Sequence, residues 1–481
     1  MGRSSHEVVA ECGSLVEELA NGRLGDQRLN DRRNRVVTVL EQQPDTGFPD
    51  ACADDAEVEA LYRFLRNRRV SLPAILAPHV EATHGRCAAI GEVLVLHDTT
   101  DMVFAGEAPR SGLTRLGPGR HGFWVHAAMA VSADGLRAPL GVLSLVPYVR
   151  AAPRPGRRPP KNDRERFADP TKESRCWAEG VAAIRTRFAG ATAAIHVMDR
   201  GADSYELFAA LLQHQDRFVV RLTHDRRVVR EDGAPGRLAD AVTPLEVTCE
   251  RHVQLAPRRD GKRTLSARTV HPAREGRLAI LRVTAQRVQI TRPAHVRATE
   301  PASLPVHVVS VSEVNAPTGA DPVEWRLLTT EPIDTVAQIL RIVDWYRTRW
   351  LIEEFFKALK TGCAYEKRQL ESLHTLLVAL ALLAPIAWRL LLLRHLSREQ
   401  PATAATVALT PRQLQVLRAS SVGAALPSAP TVMDALRAVA RLGGHLRQNG
   451  PPGWLVLARG FQKLLCMEAG WAAAERTQVN M

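Results

Sequence analysis

One stretch constrains this chain more than any other: WYRTRWLIEEFFKALKTG, beginning at Trp345. Within it Tyr346, Arg349, Glu353 and Lys360 recur at spacings of three, four and seven residues. On an α-helix turning about 100° per residue, the four fall within about a 60° arc. Ile352, Phe355, Phe356 and Leu359 occupy much of the opposite side. The pattern predicts a helix with an apolar back and a front carrying one carboxylate, one phenol and two cations. Asp334 is the expected N-cap of the helical segment and Gly362 the expected C-cap. A carboxylate can hold a hard metal ion and cations can grip phosphate, a pairing suited to phosphoryl transfer on nucleic acid. A charged wet face is also an ordinary property of helices, so the reading depends on further ligands elsewhere.

Two segments can supply them. GEVLVLHDTT and AAIHVMDRGAD each read as a short buried strand ending in an acid, Asp98 in the first and Asp199 in the second. A strand end presents a carboxylate rigidly. Three converging carboxylates carry enough negative charge for two Mg²⁺ ions about 4 Å apart, which assist an in-line displacement. Carboxylates rather than His or Cys suit such oxygen-loving ions. For either aspartate alone, cap chemistry after a strand is the simpler account: Asp98-Thr99-Thr100 and Asp199-Arg200-Gly201 both serve as turns.

Composition narrows the class. Across 481 residues, 45% are hydrophobic and 24% charged, as in globular proteins, and the length allows two to four domains. A net charge of +13 favours a polyanionic partner. The seven cysteines are scattered without a C-x-x-C clip, which argues against a zinc knuckle or a disulfide framework and for a reducing compartment. The first residues, MGRSSHEVVAECG, lack the apolar run of a signal peptide. The most apolar stretch, Thr375 to Trp388, contains Pro385 and is followed by Arg389. It falls short of the ~18–20 residues of a membrane span, so it is expected to be a buried or partner-facing helix and no membrane partner is expected.

Texture divides the chain. Residues 1–70 read as short helices, with Arg23, Arg28, Arg32, Arg33 and Arg35 crowded together and LYRFLRNRRV following. Residues 71–221 alternate strand-like runs (GFWVHAAMAVSADG, LGVLSLVPYV, RFVVRL) with helical ones (KESRCWAEGVAAIRTRF, SYELFAALLQH) around a Pro-rich basic loop at 151–162. Residues 222–330 are β-rich, through RTLSARTV, RLAILRVTAQRVQI and PVHVVSVSEV. Helical patterning returns over 331–369 and continues through 370–481.

Taken together, these segments resemble the insertion-sequence-four family of DDE transposases over nearly the whole chain. LGDQRLNDRR and LYRFLRN are similar to its DNA-binding domain, HDTTD and MDRGADSYE to the contexts of its two aspartates, and GFWVHAAM and KESRCW to the strand and helix entry after the first. The 346–360 stretch is similar to its Tyr-Arg-Glu-Lys signature, and GGHLRQNGPPGWLVLARGFQKL to its closing motif. The resemblance implies an α/β fold. A ribonuclease-H-like core (71–221 and 331–369) is interrupted by a β-rich insertion (222–330), with an all-α DNA-binding domain (1–70) and a mainly α dimerisation region (370–481). It implies that Asp98, Asp199 and Glu353 hold two Mg²⁺ ions, for which Mn²⁺ can substitute. Tyr346, Arg349 and Lys360 would grip phosphates at the transposon end. Trp325 would stack a base flipped from a terminal hairpin, a contact worth about 1–3 kcal/mol. Arg221, Arg28, Arg32, Arg63 and Arg66 would contact DNA, with Asp26 and Asp31 near enough to tie up some of these arginines as ion pairs. Arg154, Arg157, Arg158 and Lys161 in the 151–162 loop are further backbone candidates.

The implied activity is cut-and-paste transposition of an insertion sequence: nicking, hairpin formation, hairpin opening and strand transfer. The implied partners are terminal inverted repeats, target DNA and a second copy of the chain, with the C-terminal helices and the 375–388 stretch as the dimer contact. The implied setting is the bacterial cytoplasm, at the nucleoid. The alternative is a catalytically silent DNA-binding inhibitor or decayed copy. A free metal-dependent nuclease would leave Trp325 and the dimer region without a role.

Overall fold

The structure, a computed structural model, describes all residues except 1–2, 11–14, 21, 43–46, 107–109, 118, 150–174, 189–191, 240–247, 256, 258–274, 315, 423–425, 447, 449 and 480–481. The 151–162 loop and the RTLSARTV segment lie outside the described residues. The chain is mixed α/β and divides into two units: Met1–Pro159, Arg175–Ala194 and Trp350–Met481 form one, Pro160–Ser174 and Ile195–Arg349 the other.

The first unit begins with helices only: α1 (Ser5–Ala10), α2 (Leu15–Ala20), α3 (Gln27–Gln42), α4 (Phe48–Ala51), α5 (Asp55–Arg66) and α6 (Leu72–Ile90). Local chemistry sets the boundaries of the last two. The Asp54 side chain accepts the Glu57 N–H at the start of α5, and Ser71 accepts from Ala74 ahead of Pro73 in the first turn of α6. An antiparallel sheet follows, built on β3 (Arg120–Ser132), which pairs along its length with β1 (Glu92–Ala105), and also with β2 (Thr114–Gly117) and β4 (Pro139–Tyr148). Helix α7 (Arg175–Arg187) packs on β3 and β4.

Strand β5 (Ala193–Met198) leads from the first unit into the second, which carries a single 3₁₀ turn at Arg200–Ala202 and α8 (Tyr205–Gln213). Next come β6 (Arg217–Arg221), β7 (Arg227–Arg230), β8 (Pro235–Arg237), β9 (Thr248–Leu255), β10 (Arg277–Thr291), β11 (Ser303–Val314) and β12 (Glu324–Thr329). Residues Ile195–Met198 pair parallel with β6; β6, β12, β11 and β10 then follow in antiparallel order, and β7 and β9 both pair with β10. Helix α9 (Val336–Thr348) closes this unit. Its N-cap is Thr335, in a reciprocal box with Gln338, rather than the expected Asp334, whose carboxylate is paired with Arg287. A hydroxyl one residue nearer the first turn reaches the free N–H, and the acid is taken by the sheet.

The chain then re-enters the first unit through α10 (Trp350–Lys357), a π turn (Ala358–Gly362), α11 (Leu373–Glu399), α12 (Pro411–Ala419), α13 (Val432–Leu442) and α14 (Trp454–Val479). Helix α11 contains the 375–388 stretch as a buried helix, one of the two alternatives expected, but runs well beyond it. It is 27 residues long, with a window of mean hydropathy 2.4, long and apolar enough to cross a membrane, yet 94% of that window is buried within the protein. Helices α3, α5, α6, α10, α13 and α14 and strand β4 all pack on it. The stretch from Thr375 to Trp388 is therefore the core of its own chain and is not available as the dimer contact expected of it. Arg389 is tolerated because its guanidinium lies 5.7 Å from the Trp388 ring centre.

Candidate active site

The Asp98 context differs from the expectation. Asp98 does not end a strand: β1 runs on to Ala105, pairing residue by residue with β3 down to Ala105↔Arg120. Met102 and Phe104 continue the buried alternation beyond the aspartate, so the strand has a core to cover there and no reason to stop. Asp98 is nearly buried, and its Oδ1 accepts the Thr99 N–H at 2.8 Å.

Behind this segment the sheet holds a polar network. The Thr99 hydroxyl lies 3.0 Å from His126 Nδ1, and His126 Nε2 lies 3.3 Å from His97 Nδ1. Both imidazoles are fully buried, and Trp177 of α7 meets His126 edge-on at 4.7 Å. A Cβ added to Gly180 would lie 3.1 Å from His126 Nε2, so glycine here lets α7 approach the rings. Burial pushes the His126 pKa down to about 4.

The single helix expected over 346–360 is three pieces. Helix α9 ends at Thr348, Arg349 bonds back to Tyr346 at 3.1 Å, α10 restarts at Trp350, and a π turn takes over at Ala358. Gly362 lies inside the π turn and Cys363 is the cap, in place of the expected Gly362. The constant 100° phase behind the 60° arc does not hold through these irregularities. Ala364 follows with φ of 47°, an αL conformation uncommon outside glycine. The apolar back is as expected: Ile352, Phe355, Phe356 and Leu359 are buried.

In the first unit, α10 packs on β1, placing Glu353, which is half-buried, on the helix neighbouring the Asp98 strand. Lys360 does not stand free on a wet face. Its ammonium donates to the Asp101 carbonyl and lies 3.3 Å from the Asp101 carboxylate and 3.6 Å from Glu366. Glu366 also accepts the Val103 N–H at 2.9 Å, and Arg120 reaches Asp101 at 3.7 Å. The sequence reading missed Asp101, Glu366 and the two histidines. Asp101 was legible as the last residue of HDTTD, but nothing in the sequence joins it to Lys360.

In the second unit, Asp199 follows β5 directly, and its Oδ1 accepts the Gly201 N–H at 2.7 Å to cap the 3₁₀ turn. Trp325 on β12 and Tyr346 on α9 meet edge to face, with ring centres 5.5 Å apart at 63°. Tyr346 is thus buried rather than exposed on a front, and Trp325 is half-buried. Arg221, opposite Leu327 in the β6–β12 register, donates to the Glu324 carbonyl at 3.1 Å.

Among the N-terminal arginines, Arg28 is exposed and Arg32 half-buried. Arg63 pairs with Glu59 one turn away, and Arg66 with Glu371 at 3.3 Å, both at exposed sites where such pairs weigh little. Arg33 is buried and serves the fold, donating to the Gly22 carbonyl.

The side chains of Asp98 and Glu353 in the first unit and Asp199 in the second are carboxylates, the donor type that suits a hard divalent ion. Among the described residues, no three His, Cys, Asp or Glu side chains are already grouped as a metal-binding cluster.

Two family models match the chain: transposase DNA-binding over residues 12–70 and transposase DDE domain over residues 172–388. The second match encloses Asp199, Trp325, Tyr346, Glu353 and Lys360 and begins after Asp98. Among solved structures, a piggyBac transposase synaptic complex with hairpin DNA is similar at 9% identity and a TM-score of 0.35, over 82% of this chain and 75% of that one, a likeness too slight to support any argument.

Proposed function

Because the chain carries both a transposase DNA-binding region and a transposase DDE domain, we propose that it is an active cut-and-paste transposase of the insertion-sequence-four kind, with a ribonuclease-H-like core. The observation that carries this reading is the DDE-domain match over 172–388, which takes in two of the three proposed metal carboxylates.

In this proposal Asp98, Asp199 and Glu353 hold divalent metal, Mg²⁺ by preference. When bound, the metal supplies activation of the attacking oxygen and stabilisation of the leaving one. The chain's own residues do the rest. Tyr346, held against Trp325, and Arg349 orient the phosphates of the transposon end. Lys360 shares its charge with Asp101 and Glu366, so it contributes to phosphate binding as these partners exchange for DNA oxygens. Trp325 offers a partly open aromatic face for a displaced base, and Arg221 steadies the adjacent backbone. Arg28, Arg32, Arg63 and Arg66 read the end of the element. The steps are nicking, hairpin formation, hairpin opening and joining to target DNA, carried out at the nucleoid of a bacterial cell. A dimer bridges two ends through surfaces other than α11.

The test uses DNA bracketing the gene with its inverted repeats, the full-length protein and Mg²⁺. Nicked and hairpin products are expected. Asp199→Ala is expected to keep end binding and abolish cleavage; cleavage by this variant would remove the triad assignment. End binding without cleavage by the unaltered chain would favour the silent DNA-binding alternative.

A further inference from the structure

A cavity of about 520 Å³ opens in the first unit between α11, α13 and the start of α14, and none of the proposed triad lines it. Its wall is cationic. Arg394 and Arg398 stand one helical turn apart on α11, Arg437 and Arg441 one turn apart on α13, and His445 follows at the rim. Like charges at i,i+4 repel, and here two such pairs line one space. Two carboxylates offset part of this: Glu354 of α10 takes Arg398 at 3.1 and 3.2 Å and also acts on Arg394, and Asp434 of α13 is close enough to Arg437 to feel its charge. No acidic side chain is among the described residues lining the cavity.

Arg394 is the informative member. Its guanidinium lies 4.2 Å from the ring centre of Trp454, held by cation–π attraction. Its Nη1 is buried and donates to no acceptor among the described residues. A buried donor left unmade is costly, and native proteins keep few of them. Burial and the neighbouring charge of Arg398 both push the Arg394 pKa down. That nitrogen is itself closed to solvent, so an oxyanion in the cavity would meet the Arg394 charge rather than that atom, and would relieve both like-charged pairs at once.

We propose that this cavity is a phosphate-binding site, with the half-buried Arg394 as its inner member and Arg437 and Arg441 as its outer clamp. The planar guanidinium fork matches phosphate oxygens in pairs, which a scatter of lysines would not do. The volume exceeds that of a bare phosphate and leaves room for the group to which it is esterified. The phosphate comes either from a DNA backbone or from a free phosphate compound. The site stands whether or not the chain is catalytically active, because none of its residues belongs to the proposed triad.

The experiment compares full-length protein with Arg437→Gln/Arg441→Gln, whose side chains lie at the outer wall, and with the charge-preserving Arg437→Lys/Arg441→Lys. Inorganic pyrophosphate, at matched ionic strength against chloride, is expected to raise the melting temperature of the unaltered protein. The Gln pair is expected to bind it at least tenfold more weakly, and the Lys pair, which keeps the charge and loses the fork, to fall between the Gln pair and the unaltered protein. In a second arm, a duplex of about 20 base pairs is titrated against salt; a DNA phosphate in the cavity lowers the slope by about one to two in the Gln pair. An unchanged slope with weakened pyrophosphate binding assigns the site to free phosphate. If the Gln pair matches the unaltered protein in both arms, the proposal is overturned.

Discussion

Acidification is expected to destabilise the first unit, with His126 as one identifiable contributor. Its ring nitrogens are both engaged, Nδ1 with the Thr99 hydroxyl at 3.0 Å and Nε2 with His97 at 3.3 Å. A neutral imidazole serves such a pair with one donor and one acceptor; a protonated one donates at both nitrogens and places a charge in a site closed to water, which is the unfavourable term. Burial holds the folded pKa at about 4, against 6.5 for the free side chain. The sign follows: the unfolded chain takes up the proton first, so the contribution is complete above about pH 6.5 and is lost as pH falls toward 4. Integrated over that window, the drop from pH 7 to pH 5 is about 2 kcal/mol, approaching about 3 kcal/mol at pH 4. His79 and His395 are also depressed by burial, so a bare pH profile does not isolate His126. The assay is therefore urea unfolding of the unaltered protein and His126→Asn at both pH values. Asparagine can still meet Thr99 but does not titrate. The variant is expected to start less stable and to lose about 2 kcal/mol less on acidification. Equal losses in the two proteins would refute the argument.

Three further outcomes are expected. Gly460→Ala places a Cβ 1.7 Å from the Val439 carbonyl, where α14 crosses α13, and is expected to cost about 3 kcal/mol or to abolish folding, read by thermal unfolding; a cost within about 0.5 kcal/mol would show that the two helices can part. Glu18→Gln removes the carboxylate that His79 and Arg86 hold; burial alone would raise the Glu18 pKa, but those partners reverse this and bring it to about 2. The variant is expected to cost about 3–5 kcal/mol at pH 7, with the gap closing as pH falls from about 4.5 toward 2, and a gap independent of pH would contradict it. Trp325→Ala is expected to slow hairpin formation by tenfold or more while sparing the first nick; equal loss at both steps would place Trp325 in the packing of Tyr346 instead.

Much of the local structure was legible because it rests on short-range rules. The strands β3, β4, β5, β10 and β11 and the helices α7 and α8 follow hydrophobic periods of two and 3.6, which neighbouring residues set. The apolar back of α10 was legible for the same reason. The errors share a cause as well. The extension of β1 past Asp98 depends on Phe123 and other residues of β3 across the sheet. The break at Arg349 and the π turn at Ala358 answer to tertiary packing, which propensity does not record.

Residue type and spacing set the chemistry available: the carboxylates Asp98, Asp199 and Glu353, the basic balance, and the segments at 12–70 and 172–388 that the transposase models match. These survive whatever the chain does in space. What each charge faces was settled by packing between distant segments. Lys360 lies against Asp101 and Glu366, Tyr346 turns inward onto Trp325, and Arg33 and Arg394 are drawn into the protein while Arg28 stays in water. An ion pair or a buried donor depends on the distance to a partner hundreds of residues away, and on how much water the fold excludes between them. Neither quantity is written in a local pattern. The same holds for α11: its composition alone would equally suit a lipid bilayer, and the helices around it made it the core instead.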